Sequence, residues 1–217
     1  MPAPLTTLLL LADGRLPAGG HAHSGGLEAA VAAGRVRDAD DLTEFLRGRL
    51  ATAGLVAAAF TAAACTAPAE AVPLLDAELD ARTPSPALRR ASRQQGRAVL
   101  RAGRAIWSLP GQPAQAHQPV ALGLVAAMAG LDALQAATIA AYGSVSGPSS
   151  AAVRLLGLDP YRAYAIVAGL AEACDDIAAR AAAAAYGPIE HLPSAGAPLL
   201  DISAEVHASW EVRLFAS

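Results

Sequence analysis

About a quarter of this 217-residue chain is alanine, and aromatic residues make up only 4% of it. That imbalance restricts the fold more than any motif does. Alanine gives up no side-chain entropy on entering a helix and is depleted in strands, where β-branched and aromatic side chains pack a pleated surface. With apolar residues at 54% and so few of them large, the core must be thin and built from Ala, Leu and Val. The composition predicts an all-α chain and argues against a β-sandwich, a barrel or a disulfide-stapled module. The length suits one domain with a core of its own.

Periodicity places the elements. Leu5–Ala12 is a short apolar segment, followed by an irregular loop over 13–20 with three glycines and a proline. Ser24 is positioned to cap a helix that carries Leu27, Ala30 and Val31 and stops at Gly34. Asp38 or Asp40 opens a helix from Asp41 to Ala64, with Leu42, Phe45, Leu46, Leu50 and Leu55 on its inner face. A short helix over Ala71–Ala81 ends before Thr83-Pro84-Ser85-Pro86, and a long one then runs to Trp107. Ser108–Pro119 reads as an irregular linker. Helices over Pro119–Ala129 and Asp132–Tyr142 precede a turn at Gly143–Pro148 and a helix over Ser149–Leu156. The last long helix runs from Asp159-Pro160 to Tyr186. These spacings predict a single helical domain of about eight to ten helices over 1–190, with a flexible, proline-containing tail over 191–217 that docks a partner.

All 16 basic residues are arginine, against 19 acidic ones, for a formal charge of −3, which disfavours a generic nucleic-acid binder. Six arginines, Arg89, Arg90, Arg93, Arg97, Arg101 and Arg104, project into an arc of roughly 120° on the long helix ending at Trp107. Such a ridge can receive an acidic partner or a phosphate, pair with carboxylates of another helix, or face solvent. Cys65 and Cys174 are too isolated for a disulfide framework or a thiolate cage and read as small core residues. The N-terminus lacks a basic region ahead of its leucines, unlike a signal peptide. The apolar run Val120–Leu131 is separated by Asp132 from Ala133–Tyr142, and this central acid and the alanine content are unlike a membrane span. A cytoplasmic protein is expected.

Chemistry is sparsely signalled. His21 and His23 sit two positions apart in the glycine-rich loop and can reach one divalent ion, but two imidazoles make a weak site. No nucleophile elbow and no phosphate-binding loop is present. Asp175, Asp176 and Arg180 read as an intrahelical ion pair. Nothing in these residues specifies an enzyme.

Leu9–Glu28 contains Leu-Pro-Ala-Gly-Gly followed by His-Ala-His and Ser-Gly-Gly-Leu-Glu, and it resembles the N-terminal signature of the UreF-type urease accessory proteins. Arg213-Leu214-Phe215-Ala216-Ser217 resembles that family's C-terminal ending, with His207 upstream. Ser92, Gln95, Gly96, Arg97 and Leu100 fit its central helix, and Ser150–Leu155 fits a later Ser-Ala-x-x-Arg-Leu segment. The resemblance implies an all-helical, cytoplasmic maturation factor that is not an enzyme, typically a homodimer. It would act with a UreD/UreH-type protein and a UreG-type GTPase on apo-urease, so that nickel is handled by the complex and no cofactor is held tightly. It also implies partner-binding roles for Gly19, Gly20, His23, Ser24, Gly26, Leu27, Glu28, Arg154, Arg213, Leu214, Phe215 and Ser217. Arg93, Arg97 and Arg101 of the ridge join them on charge grounds. The competing expectation is a direct nickel carrier using His21, His23 and His207. Three departures stand out: His21 where the family usually has phenylalanine, Ala216 in place of a basic residue, and Gly157–Tyr161 without the usual glutamine.

Overall fold

The computed structural model describes residues 5–107 and 113–217. Among them there is no strand, and the α-helices are α1 Leu5–Ala12, α2 Leu27–Ala32, α3 Ala39–Arg49, α4 Leu55–Thr66, α5 Val72–Ala81, α6 Pro86–Trp107, α7 Gln118–Met128, α8 Ala133–Leu156, α9 Pro160–Gly169, α10 Ala171–Ala184 and α11 Pro198–Ala208. The expected all-α single domain is what the chain forms.

Helices α4 and α7 lie at the centre, buried on nearly every side, with α8 and α10 packed on α4 and α6 on α7. Small residues make this possible. A Cβ on Gly123 of α7 would overlap the Thr61 carbonyl oxygen of α4, so the two helices touch backbone to backbone. Phe60 is fully buried, and leucines such as Leu42, Leu46, Leu75 and Leu100 fill the remaining space. The α3 and α4 helices are joined through a π-helical stretch, Leu50–Gly54, into one continuous helix over Ala39–Thr66. That helix is long and apolar enough to cross a membrane, but its second half is core of this domain.

Local signals hold where the side chain is its own partner. Asp38 caps α3 by accepting from the Asp40 and Asp41 amides, Asp132 and Gln135 form a capping box on α8, and Asp159 caps α9 ahead of Pro160. Two boundaries differ. The turn expected at Gly143–Pro148 is absent: α8 runs straight through it, because Val145, Pro148 and Ser149 are buried and the packing outweighs the lost proline N–H. The last long helix is instead split between α9 and α10 at Leu170, which turns inward and is buried. Residues 108–112 of the expected linker lie outside the described residues.

The third difference concerns 191–217. Sequence patterning expects a tail with little core of its own, yet α11 packs on α2 and α6, and Phe215 joins the main core. The reason is that its contacts are polar and come from residues far away in the chain.

The close crossing of α4 and α7 gives a direct test. Gly→Ala in a helix interior ordinarily stabilises by up to about 1 kcal/mol. Gly123→Ala should instead destabilise by about 1–3 kcal/mol through overpacking, read as a lower urea midpoint at unchanged slope.

Candidate functional site

The N-terminal glycine-rich motif and the C-terminal ending meet. Gly25 and Gly26 both have left-handed backbone, with φ of 63° and 91°, and they turn the loop into α2. At Gly26 a side chain would also press on the end of the Leu200 side chain of α11, which can shift, so it is the left-handed backbone that calls for glycine there. The turn presents Ser24, buried, and Glu28, whose side chain is 9% exposed, toward the tail.

Glu28 is the hub. Its carboxylate accepts from the Leu214 amide at 2.8 Å, the Phe215 amide at 3.1 Å and His207 Nε2 at 2.9 Å. Burial alone would push this carboxyl up, but the donors from Leu214, His207 and Phe215 outweigh it and hold the group below its ordinary range. Around it, the Ser24 amide and hydroxyl both donate to the Ser217 carbonyl, at 2.6 Å and 3.0 Å, and the Ala216 amide donates to Ala22 at 2.7 Å. The residue immediately ahead of α2 is Gly26, which has no side chain to cap with, and the Ser24 hydroxyl serves instead by accepting from the Glu28 amide at 3.2 Å. His23 Nδ1 is hydrogen-bonded to Ser217 Oγ at 2.7 Å, and burial, then the neighbouring His21, lower its pKa. The Arg154 guanidinium lies 5.4 Å from the centre of the Phe215 ring.

Helix α11 is anchored in the same way. Glu205 accepts from Ser85 Oγ and from the Ala87 amide at 2.8 Å, closing the N-terminus of α6, and Ser203 accepts from Arg35 at 2.7 Å.

The structure therefore unites Ser24, Gly26, Glu28, His23, Arg154, Phe215 and Ser217. Gly19 and Gly20 frame the turn that carries Ala22, and Leu27 is fully buried core. Leu214 and Phe215, both expected to bury against a partner, divide: only Phe215 is buried, whereas Leu214 is 58% exposed and contributes its amide. Arg213 is exposed beside a cleft between α6 and α11. His207, a possible nickel ligand from sequence, is committed to Glu28, and the described residues contain no group of three or more His, Cys, Asp or Glu side chains able to hold a metal.

The arginine ridge divides too. Arg93 faces α5 and bonds Asp76 at 2.8 Å and Asp80 at 2.9 Å, and Arg89 lies 3.8 Å from Asp80, so these two are paired within the domain. Arg97 and Arg101 remain exposed. Beneath them is a network that sequence reading missed. His117 is completely buried, donates from Nε2 to Asp80 at 2.9 Å and accepts at Nδ1 from Ser92 at 3.0 Å, while its amide donates to Asp76 at 2.7 Å. Its partners lie on α5 and α6, up to 41 positions away, where no spacing rule reaches. Arg180, expected to pair with Asp175 or Asp176, forms no such ion pair, and all three are exposed. Cys65 and Cys174 are free, with thiols pushed up to about 11 by burial.

The family model described as UreF matches residues 36–171. A Mycobacterium sp. (strain JLS) protein named urease accessory protein UreF is 48% identical over 218 residues, covering 98% of this chain and 99% of the relative. The chain belongs to the UreF family. Proteins of the same name from Mycolicibacterium vanbaalenii and Mycobacterium tuberculosis are 43% and 41% identical, each covering 98% of this chain and 99% of the relative. It is thus a urease accessory protein by family, and the meeting of its two end motifs is the feature that the UreF resemblance alone does not convey.

Two measurements follow. Glu28→Ala removes the acceptor for three donors, and each hydrogen bond to a charged group is worth about 1.5–3 kcal/mol. Trypsin should then cut after Arg213 at least about tenfold faster, with helical circular dichroism retained; unchanged cleavage would place the hold on the tail elsewhere. The second concerns His117, which burial pushes below the ordinary imidazole range. The fold favours the neutral ring, so the unfolded chain is protonated first as pH falls. The contribution is full above about 6.5 and is lost as pH drops through the folded value. The urea midpoint should fall between about pH 7.5 and 5.5, and by less in His117→Gln, which starts lower.

Proposed function

We propose that the chain is a non-catalytic scaffold for urease maturation, acting as a homodimer in the cytoplasm and bridging a UreD/UreH-type protein and a UreG-type GTPase on apo-urease. Nickel is cargo of that assembly and is not a resident of this chain. The observation that supports the reading is the inverted polarity of α11. Its buried positions Ser203 and His207 are polar and hydrogen-bonded, and the exposed Glu205 closes the start of α6, while Leu199, Ile202 and Val206, at 64%, 62% and 53% exposure, form a stripe facing solvent. Leu214 adds a further exposed side chain beyond the helix.

An apolar stripe left to water beside polar neighbours marks a docking surface. Burial of each such side chain contributes roughly 1.5–3 kcal/mol before ordering costs. We assign this stripe to the UreD/UreH-type partner. The nickel-carrier alternative must work with His21 and a His23 whose Nδ1 already contacts Ser217. Tight one-site nickel binding, abolished by His21→Ala with His23→Ala, would reinstate it.

Point substitutions test the scaffold reading more cleanly than truncation, because removing 213–217 also takes Phe215 out of the core. Ile202→Asp with Val206→Asp should leave the helical spectrum intact and abolish co-elution with the UreD/UreH-type protein in size exclusion. Undiminished co-elution, or GTP turnover by the isolated chain, overturns it.

A further inference from the structure

The division of the arginine ridge leaves something unexplained on the outer side of α6. Arg89 and Arg93 lie on the edge facing α5 and are neutralised there. Arg90, Arg97, Arg101 and Arg104 have no carboxylate within ion-pair distance among the described residues, although Glu205, at the start of α6, is near enough to feel the charge of Arg90. Arg97 and Arg104 bond only neutral acceptors, Gln115 at 3.4 Å and the Pro113 carbonyl at 2.7 Å. At about 100° and 1.5 Å per residue, the four fall within an arc of roughly 60° along about 21 Å of helix. No acidic residue occurs anywhere in α6 to interrupt them. Like charges on successive turns destabilise a helix, and a counter-charge from outside relieves that.

A cleft of about 310 Å³ opens at the N-terminal half of this stripe, between α6, α11 and the tail. Arg90, Gln94 and Arg213 stand around it, over small residues such as Ala91, Ala204 and Ala208. Arg213 also lacks an ion-pair partner among the described residues. No large side chain fills the space, and the polar groups around it include two guanidiniums suited to carboxylates.

We propose that the outer arginine stripe of α6 and this cleft together dock an acidic, Asp- or Glu-bearing segment of a partner protein. Charge complementarity selects the occupant. The stripe is cationic in a chain whose acidic residues outnumber its basic ones, so a long nucleic acid would meet repulsion beyond the stripe, whereas a short acidic segment would not. The side chains differ from those of the apolar α11 stripe, and the proposal stands or falls apart from the UreD/UreH assignment.

The test uses the full chain and a fluorescein-labelled peptide of roughly ten glutamates, followed by anisotropy at about 50 and 300 mM NaCl. Binding is expected at the lower salt and should weaken at the higher. Arg97→Gln with Arg101→Gln, and separately Arg90→Gln with Arg213→Gln, should each weaken it at least about tenfold, while Arg162→Gln with Arg180→Gln stays within about twofold. Circular dichroism confirms that each variant is folded. The proposal is overturned by absence of binding at low salt, by equal loss in the Arg162/Arg180 control, or by tighter binding of a uridine oligonucleotide of the same length.

Discussion

Close approach of helix backbones is the constraint from which the rest of this structure follows. A chain with so few large side chains cannot fill wide gaps between helices, so α4 and α7 come together until Gly123 meets the Thr61 carbonyl. Dispersion contacts between many small groups then replace the few large contacts of an aromatic core. This also explains why α8 ignores its internal proline. Pro148 is buried where α8 passes the Gly25 loop and the Arg49 guanidinium, and breaking the helix there would expose that contact.

The domain's outer layer is joined by a different force. Helix α11 and the last five residues add only Phe215 to the main core, and are held by charged and polar groups: Glu205 at the start of α6, Arg35 on Ser203, and above all Glu28, which gathers three donors from the tail. Directional bonds fix geometry where apolar area is scarce. Their use leaves Leu199, Ile202 and Val206 of α11 to water, while Leu200 packs over Gly26, and it is this division of labour that connects packing to the proposed role in assembly. A helix that spent its leucine and isoleucine on its own core would have nothing of that kind to offer a partner.

The arginine ridge shows the same separation at finer scale. Six similar side chains on one helix differ in role because the helix rotates them past different neighbours. Those turned toward α5 meet Asp76 and Asp80 and become part of a buried network with His117, while those a little further round meet none.

Much was legible without coordinates. Composition determined the all-α class, side chains that cap their own helix marked the starts of α3, α8 and α9, and the two end motifs carried the family resemblance. Each of these depends on residues within a few positions of one another, or on the average chemistry of the whole chain. The run of α8 through Pro148, the inward turn at Leu170, the split of the ridge and the meeting of Glu28 with Leu214 and Phe215 were decided only by tertiary structure. Their partners stand tens to nearly two hundred positions apart, and a proline, a glutamate or an arginine has no fixed role until packing chooses its neighbour and sets what its burial costs.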